Sequence, residues 1–366
     1  MKKLTCFFLG LGLIGGSIAK ALKTACPKIQ ILAYDTNKDS LEQALNDGII
    51  DNYYLAIGKE ISDCDYIFLC APVSVNISYL EKIKPFLSEH TTLTDIGSVK
   101  SDIHNHIKKL GLENQFIGGH PMAGSERIGY TNSKASLLEN AYYILTRTPL
   151  STEERIKDYY NLVKLIGAIP LIVDAKEHDY IVAAISHLPH VVSASLVNLV
   201  KDSDMENGLM KMVAAGGFKD ITRISSSSPI MWQQICLTNS ENITLLLDKY
   251  IESLTTIRDC INEHKQNDII DFFSKARSYR ESFQNTSAGP IKKVYTLHVD
   301  IEDHPGMLAA VVTLLAAHNI NIKNVEIRHN REFESGTLRI EFENEKGQLE
   351  ASALLKSHNF LVVSQN

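Results

Sequence analysis

An apolar run, a glycine-rich loop and a helical stretch follow one another at the start of this 366-residue chain, and their order constrains the fold more than any other feature. Thr5 to Leu9 leads into Gly10-Leu11-Gly12-Leu13-Ile14-Gly15, and Asp35 ends the next apolar run. In this spacing the first glycine allows a tight turn, the second lets a pyrophosphate approach the backbone, and the third lets the helix pack on the strand. The sequence therefore predicts a Rossmann-type dinucleotide site.

The acid at the end of the second predicted strand indicates which dinucleotide binds. A carboxylate there accepts hydrogen bonds from the ribose hydroxyls and repels a 2′-phosphate, so Asp35 favours NAD over NADP. Ala71 and Pro72 follow a later apolar run and would lie beside the same ligand. The predicted cofactor-binding residues are Gly10, Leu11, Gly12, Leu13, Ile14, Gly15, Asp35, Ala71 and Pro72.

Strand and helix signals alternate through residues 1–174, which predicts an α/β domain with a doubly wound parallel sheet. The later predicted strands cover residues 66–71, 92–96, 116–119, 142–146 and 170–173. Ligands bind at the carboxyl ends of such strands. Ser98 and His120 each follow one of these strand ends, so we expect both beside the cofactor.

The stretch from Gly118 to Glu126 places one histidine among small residues and a proline. Because a free imidazole has a pKa near ~6.5, a neutral His120 can accept a proton at working pH. The alternative is a glycine-rich turn in which the histidine satisfies a backbone carbonyl. Ser98 can hydrogen-bond a substrate hydroxyl or the His120 imidazole, and its alternative role is the N-cap of a helix.

After residue 174 apolar residues recur at three- and four-residue spacing, which predicts an all-helical second domain over residues 175–285. Ala183 to Val200 is apolar on most faces. We therefore expect this helix in the middle of a bundle or at the interface of a homodimer. Trp232 is the only tryptophan, and we expect it in the core.

Two polar motifs interrupt the helical domain. In Ser186-His187-Leu188-Pro189-His190 the histidines share one helix face, as either buried structural residues or a metal pair would. No carboxylate or cysteine completes a metal set, so we predict no metal. Gly216 to Arg223 brings two basic residues, and the planar guanidinium of Arg223 suits a carboxylate. The alternative is a surface salt bridge with Asp220 or Glu126.

Composition limits the remaining classes of function. A formal net charge of −6 argues against a nucleic-acid surface. We find no apolar run that reaches the ~18 residues of a membrane span. Met1 to Leu13 resembles a signal peptide, but a strand and a glycine loop account better for the same residues. The six cysteines are scattered, which predicts reduced thiols and a cytoplasmic location.

A third module follows a short linker. Residues 286–293 are small, polar and rich in breakers, which is typical of a linker. Residues 294–366 then give the order strand, helix, strand, strand, helix, strand of a ferredoxin-like fold. Asp303-His304-Pro305-Gly306 forms the turn before its first helix, and Ile320-Asn321-Ile322 begins its second strand.

Five ordered motifs make residues 4–285 resemble the prephenate dehydrogenase family. They are Gly10-x-Gly12-x-x-Gly15, Gly97-Ser98-Val99-Lys100, Gly119-His120-Pro121-Met122-Ala123-Gly124, Ser186-His187-Leu188-Pro189-His190 and Gly217-Phe218-Lys219-Asp220-x-Thr222-Arg223. The resemblance implies NAD-dependent oxidative decarboxylation of prephenate to 4-hydroxyphenylpyruvate, with His120 as the catalytic residue and Ser98 supporting it. It implies that Glu126 pairs with the arginine and gates access. The implied substrate-binding residues are Ser125, Glu126, Ser186, His190, Lys219 and Arg223.

Residues 294–366 resemble the ACT domain through the Asp-x-Pro-Gly turn and the Ile-Asn-Ile signature. The resemblance implies feedback by L-tyrosine as an effector. The implied effector-binding residues are Asp303, Pro305, Gly306, Asn321 and Ile322. A stabilising or dimerising appendage is the alternative, because a fold alone does not fix a function.

Three other functions compete with prephenate oxidation. Arogenate dehydrogenase performs the same chemistry on an amino analogue, and His190 with two nearby cations favours the keto acid. A β-hydroxyacid dehydrogenase commonly employs a lysine on the helical domain, whereas the candidate base here is a histidine on the cofactor domain. A non-catalytic amino-acid sensor would not need the intact set of Ser98, His120 and Arg223.

Overall fold

The structure, a computed structural model, describes residues 4–125, 127–283, 295–302, 304–329 and 335–363. Glu126, Asp303 and the predicted linker therefore lie outside the described residues. The chain divides into two compact units, residues 1–270 and 271–366.

A five-stranded parallel sheet lies at the start of the first unit, as predicted. Its strands, in the order β3-β2-β1-β4-β5, are β1 (Thr5–Leu9), β2 (Gln30–Tyr34), β3 (Asn52–Tyr54), β4 (Tyr66–Leu69) and β5 (Thr92–Asp95). The helices between them are α1 (Leu13–Ala25), α2 (Lys38–Asn46), α3 (Val73–Ile83) and α4 (Ser101–Leu110). Phe7 and Phe8 are both fully buried and belong to separate apolar clusters. Because successive strand residues point to opposite faces, the sheet has a core on each side.

A second sheet of three strands carries His120. It consists of β6 (Ile117–Pro121), β7 (Tyr142–Arg147) and β8 (Ile169–Ile172), with α5 (Glu153–Leu165) between the last two. β6 runs beside β5 through one bridge, in which the Leu93 N–H donates to the Gln115 carbonyl at 2.7 Å. However, β6 and β7 are antiparallel.

This second sheet departs from the single parallel sheet that the sequence predicts. Among the described residues between β6 and β7, the helical elements are the short 3-10 turns Tyr130–Asn132 and Ala135–Leu138. A parallel pair needs a crossover, usually a full helix, whereas an antiparallel pair does not. His120 also lies inside β6 and not after a strand end.

The rest of the first unit is helical. It comprises α6 (Ala175–Val182), a π-helical turn (Ala183–His187), α7 (Leu188–Ser203), α8 (Leu209–Val213), α9 (Gly216–Thr222), a 3-10 turn (Arg223–Ser226), α10 (Pro229–Thr238) and α11 (Ser240–Asn262). α12 (Gln266–Ser282) crosses the boundary between the units. Pro189 has no N–H to donate one turn back, so the bonding pattern changes to a π turn just before it.

The run from Ala175 to Ser203 is long and apolar enough to cross a membrane by length and composition alone. Our expectation that no such stretch exists is therefore wrong. Only 22% of its most apolar window is buried within the chain, with Ile185 and Leu199 each 62% exposed. The expected all-round burial of Ala183 to Val200 is thus not found within one chain.

The second unit contains a ferredoxin-like module, as predicted. Its elements are β9 (Tyr295–Glu302), α13 (Met307–Ala317), β10 (Asn324–His329), β11 (Ser335–Phe342), α14 (Glu345–Ser357) and β12 (Leu361–Val363). The antiparallel sheet has the order β10-β11-β9-β12. Val299, Val311 and Leu338 are fully buried in its core. The second strand begins at Asn324, a few residues after the predicted Ile320-Asn321-Ile322 start, although Ile320 and Ile322 pack on the core.

Candidate active site

The glycine loop between β1 and α1 has the close approaches that its spacing predicts. Gly10 has φ +104°, and a Cβ there would lie 2.9 Å from the Cys70 carbonyl carbon. A Cβ on Gly15 would lie 2.7 Å from the Gly10 carbonyl oxygen. A Cβ on Gly12 would meet nothing within 4 Å, so an open cradle remains above this backbone. That space suits a pyrophosphate.

The first turn of α1 also suits an anion. Gly12 provides the N-cap without a side-chain cap, and the turn that begins with Leu13 and Ile14 holds no acidic residue. Its backbone N–H groups and the positive end of the helix dipole therefore remain available to phosphate oxygens. The residues present fit a dinucleotide.

Asp35 and the end of β4 complete the predicted cofactor side. Asp35 accepts hydrogen bonds from the Leu11 N–H at 2.6 Å and the Asn37 N–H at 2.7 Å, which hold its carboxylate against the loop. Ala71 follows β4, donates its N–H to the buried Asn76 side chain at 3.1 Å, and precedes Pro72 at the N-cap of α3. These bonds fix the loop that borders the glycine cradle.

A buried ion pair joins this edge of the sheet to β6. Lys100 and Asp95 are fully buried, and their side chains contact each other as a salt bridge. The Lys100 Nζ also donates to the Gly119 carbonyl at 2.7 Å. A Cβ on Gly119 would lie 2.7 Å from the Asp95 carbonyl oxygen. Gly119 thus lets the neighbouring strand β5 approach the backbone just before His120.

The next charged neighbours of His120 come from α6 and were not among the predicted site residues. His120 Nδ1 lies 2.8 Å from His178 Nε2, and His178 Nδ1 lies 2.8 Å from an Asp179 carboxylate oxygen. Asp179 in turn accepts the Lys100 and Ser101 backbone N–H groups, both at 2.7 Å. The predicted alternative, a bond from His120 to a backbone carbonyl, is not recorded among the described residues.

Burial and hydrogen bonds determine the protonation states of the hydrogen-bonded series His120, His178 and Asp179. Burial lowers the pKa of His120 well below that of a free imidazole, and His178 and Lys100 lower it further. Burial also lowers the pKa of His178, although the bond to Asp179 opposes the shift. For Asp179, burial alone would raise the pKa, but the hydrogen bonds from His178, Ser101 and Lys100 outweigh it, so the pKa falls. At neutral pH this series therefore holds neutral imidazoles and a carboxylate.

Ser98 is neither bonded to the His120 imidazole nor the N-cap of a helix, the two roles within the protein that the sequence suggests. It lies in the bend between β5 and α4, partly exposed, and makes no recorded hydrogen bond to the described residues. It is not the N-cap of α4, because Lys100 holds that position and Asp179 supplies the capping oxygens. Ser98 also makes no hydrogen bond to the His120 imidazole, whose Nδ1 is bonded to His178. A substrate hydroxyl remains its third option.

His190 faces a second set of groups on the helical part. Its Nδ1 donates to the Ser186 carbonyl at 2.8 Å, and its ring stacks on Trp232 with centroids 3.8 Å apart. Burial lowers the pKa of His190, and the charge of nearby Arg223 lowers it further. His190 and Arg223 therefore share one neighbourhood. Trp232 is only partly buried beside them, so its predicted place in the core is wrong.

His187 lies between the groups around His120 and those around His190, and its role is structural. It is buried, accepts a hydrogen bond from Asn239 at Nδ1 and has a pKa lowered by burial to about 4. Its charge, if present, would act on both His120 and His190, so the two sets lie close together. Among the described ranges no three His, Cys, Asp or Glu residues are arranged to hold a metal.

The remaining predicted site residues lie at the surface or beyond the described part. Lys219 is exposed on α9, and Arg223 is exposed at the start of the following turn. Ser125 is exposed and accepts the Arg127 N–H at 3.1 Å. The predicted role of Glu126 falls on a residue that the structure does not describe.

The predicted effector residues flank α13. Pro305 and Gly306 are exposed in the turn before this helix, and Gly306 has φ +96°. Asn321 is exposed and Ile322 is partly buried. Asp303 lies outside the described residues.

A glycine cradle at the edge of a parallel sheet and a neutral histidine on β6 are features of an oxidoreductase with a nucleotide-binding domain. Comparison with known families supports this class. Residues 18–171 match the nucleotide-binding domain of prephenate dehydrogenase, residues 174–275 match its dimerization domain, and residues 295–351 match the ACT domain. The chain belongs to the prephenate dehydrogenase family.

Individual relatives agree with this assignment. Prephenate dehydrogenase of Bacillus subtilis (strain 168) is 36% identical over 355 residues, which cover 96% of each chain. That of Lactococcus lactis subsp. cremoris is 35% identical and covers 99% of this chain and 100% of its own. A crystal structure of the Aquifex aeolicus prephenate dehydrogenase with hydroxyphenyl propionate and NAD+ has a TM-score of 0.73 at 32% identity, covering 77% of this chain and 99% of that one.

Proposed function

We propose that this protein catalyses the NAD-dependent oxidative decarboxylation of prephenate to 4-hydroxyphenylpyruvate. The observation that carries the proposal is the neutral His120 imidazole, which has Nδ1 bonded to His178 and no recorded bond from the described residues at Nε2. A base of this kind suits a substrate that must lose a hydroxyl proton and a hydride. The Aquifex relative, solved with NAD+ and a hydroxyphenyl acid, supports the same ligand classes here.

The chain's own residues have a limited chemical task. NAD, when bound, supplies the acceptor for the hydride that leaves the hydroxyl-bearing ring carbon. Nε2 of His120 accepts the hydroxyl proton as the carbonyl forms, and the Ser98 hydroxyl orients that oxygen. The bond to the ring carboxylate then breaks, carbon dioxide leaves, and its electron pair makes the ring aromatic. His120 returns the proton to the ring oxygen, so no net proton is released. Orientation and one positioned base suffice for a step that gains aromaticity.

The helical part supplies the anion site in this proposal. Prephenate carries two carboxylates, and an arginine binds a carboxylate through two parallel hydrogen bonds. Arg223 and His190 lie in one neighbourhood, which supports their pairing with one of these groups. Lys219 adds a further cation on the same helical stretch. Asp35, which repels a 2′-phosphate, supports NAD as the preferred dinucleotide.

The test is the appearance of NADH after prephenate and NAD are added to the full-length protein. We expect turnover with this pair, a lower kcat/KM with arogenate in place of prephenate, and a lower one with NADP in place of NAD. NADH absorbance in steady state measures all of these. If neither prephenate nor arogenate is turned over, the proposal is wrong. A preference for arogenate would correct only the identity of the substrate.

We further propose that a second copy of the chain covers the apolar faces of the helical part. Large apolar side chains that no part of the described chain covers include Ile185, Leu199, Met212, Val213, Ile230 and Leu237, each more than 60% exposed. Exposed apolar area of this extent marks an interaction surface. The match of residues 174–275 to a dimerization domain supports a homodimer built there.

We propose L-tyrosine as a feedback effector that acts through the ACT domain. Deleting residues 290–366 should abolish tyrosine inhibition, keep prephenate turnover and keep the mass of a dimer in light scattering. The match to the Aquifex relative covers 99% of that chain but only 77% of this one. This supports the expectation that the shorter piece folds. Unchanged inhibition would place tyrosine in the active site. For the full-length protein, a light-scattering mass near the ~41 kDa of one chain would contradict the homodimer.

A further inference from the structure

We propose that His178 and Asp179 are positioning residues that fix which nitrogen of His120 accepts the substrate proton. The inference rests on the proposed function, since it concerns the base of that reaction. It adds two residues of α6 that touch neither substrate nor cofactor and act only through His120.

Asp179 sets the direction of the chain because it can only accept hydrogen bonds. Its two oxygens take the Lys100 and Ser101 backbone N–H groups at 2.7 Å, at the start of α4. An ionised carboxylate has no hydrogen to donate, and a helix N-terminus favours the negative charge. In its third contact, at 2.8 Å, the His178 Nδ1–H must therefore be the donor.

The positions of the ring hydrogens of His178 and His120 follow from one rule. A neutral imidazole has one N–H and one lone pair. With its hydrogen on Nδ1, His178 presents a lone pair at Nε2, which lies 2.8 Å from His120 Nδ1. His120 Nδ1 therefore donates, and the lone pair of His120 is left at Nε2. A free histidine in water favours the opposite tautomer, so the protein has to impose this one.

The hydrogen-bonded series from Asp179 through His178 also favours the His120 imidazolium that forms during turnover. The charged or titratable groups around His120 come from β5, the start of α4, α6 and the π turn. Lys100, His178 and His187 act on it directly, Asp95 pairs with Lys100, and Asp179 bonds His178. Lys100 opposes a proton on His120, its ion pair with Asp95 offsets part of that charge, and His187 is neutral. Asp179 is the carboxylate that His120 reaches through two hydrogen bonds. It stabilises a proton on Nε2 through the N–H groups between them.

A direct test measures the tautomers in the wild-type protein. Nitrogen-15 NMR of the histidine side chains in the full-length protein, at about pH 8 where imidazoles are neutral, reports which ring nitrogen carries hydrogen. We expect the Nδ1–H form for both His120 and His178, with the His120 signals assigned by their loss in His120→Asn. Finding His120 in the Nε2–H form overturns the proposal.

Asp179→Asn tests the consequence for turnover. The amide can keep one oxygen on the α4 backbone and donate its N–H to His178, which reverses the chain and places a hydrogen on His120 Nε2. We expect kcat to fall about 10- to 100-fold, the range found where outer partners orient metal-binding imidazoles, with both KM values within about twofold. The acid limb of the kcat/KM profile should move to lower pH, because a charge that favoured imidazolium is gone. A site that merely loosened and admitted water would move it to higher pH.

Matched variants separate positioning from packing. His178→Gln retains an amide oxygen that can accept from His120, so it should be more active than His178→Leu. His104→Gln removes another partly buried histidine of the same unit, one bonded to Thr146 at 2.8 Å, and should leave both kcat and the pH profile unchanged. Wild-type rates in Asp179→Asn, or equal losses in the two His178 variants, overturn the proposal. If Asp179→Asn does not fold, the wild-type NMR decides.

Failure of this inference and failure of the proposed function give different results. If the wild-type protein makes no NADH from prephenate, the reaction is wrong, and the tautomer remains measurable. If the wild type turns over and His120→Asn does not, while Asp179→Asn keeps its rate, the base is right and the positioning role is wrong.

Discussion

Replacing His120 with asparagine should lower kcat for prephenate oxidation by about 10²–10⁴-fold, equivalent to about 3–5 kcal/mol of activation free energy. Asparagine fits the space and can hydrogen-bond His178, but it cannot accept the hydroxyl proton. KM for prephenate should change little, because the carboxylate contacts that we propose for the helical part would stay intact. Initial rates from NADH absorbance measure both constants, and near-normal turnover would show that His120 is not the base.

Arg223→Ala should have the opposite effect on the two constants, raising KM and leaving kcat nearly unchanged. Loss of a charge-assisted pair to a carboxylate weakens ground state and transition state alike, so KM should rise about 10- to 100-fold with kcat nearly unchanged. Arg147→Ala is the matched control, since Arg147 is an exposed arginine paired with Glu153 at 3.3 Å. Its constants should equal those of the wild type. A fall in kcat without a rise in KM would move Arg223 from binding to catalysis.

The sequence predicts the nucleotide-binding half well because its signals are local. Gly10, Gly12 and Gly15 lie within six residues, and each has a steric reason that the structure repeats: a positive φ, an open space and a close helix contact. The order of elements in the ferredoxin-like module follows in the same way from short-range periodicity. Such features depend on the backbone nearby and not on distant partners.

Pairing between distant segments is where prediction from sequence fails. Nothing in residues 117–121 signals that β6 pairs antiparallel with β7, so the place of His120 inside a strand could not be read from the local pattern. His178 was missed because its partner His120 is 58 positions away in sequence. The only local signal is a histidine next to an aspartate near a helix start. Ser98 was misjudged as a possible cap because Asp179 comes from another element.

The exposure of the helical part is a related case. Apolar spacing correctly predicts helices there, but it cannot say whether the apolar faces meet within one chain or between two. Ile185, 62% exposed within one chain, belongs to a helix that reads as buried from its sequence. An interface between copies produces the same apolar pattern as a core.

Lys100→Met should strongly destabilise the first unit. Lys100 and Asp95 are fully buried and paired, and Asp95 keeps only the Gly97 N–H at 2.9 Å and the Gly119 N–H at 3.3 Å once the ammonium is gone. Breaking a buried pair from one side leaves an uncompensated charge and costs about 3–5 kcal/mol. For a domain of this size we expect Tm to fall on the order of 10 °C.

The double variant Lys100→Met/Asp95→Asn separates charge from packing. It removes both ions and keeps a neutral acceptor for the Gly97 N–H, so most of the lost stability should return. Lys38→Met is the control, because Lys38 pairs with Glu42 at the surface with 59% of its side chain exposed, and such pairs contribute little. Thermal unfolding followed by circular dichroism compares all variants at one protein concentration. Equal losses in the single and double variants would mean that the lysine acts through its methylene packing, and the buried charge would then not be what links β5 to the strand that carries His120.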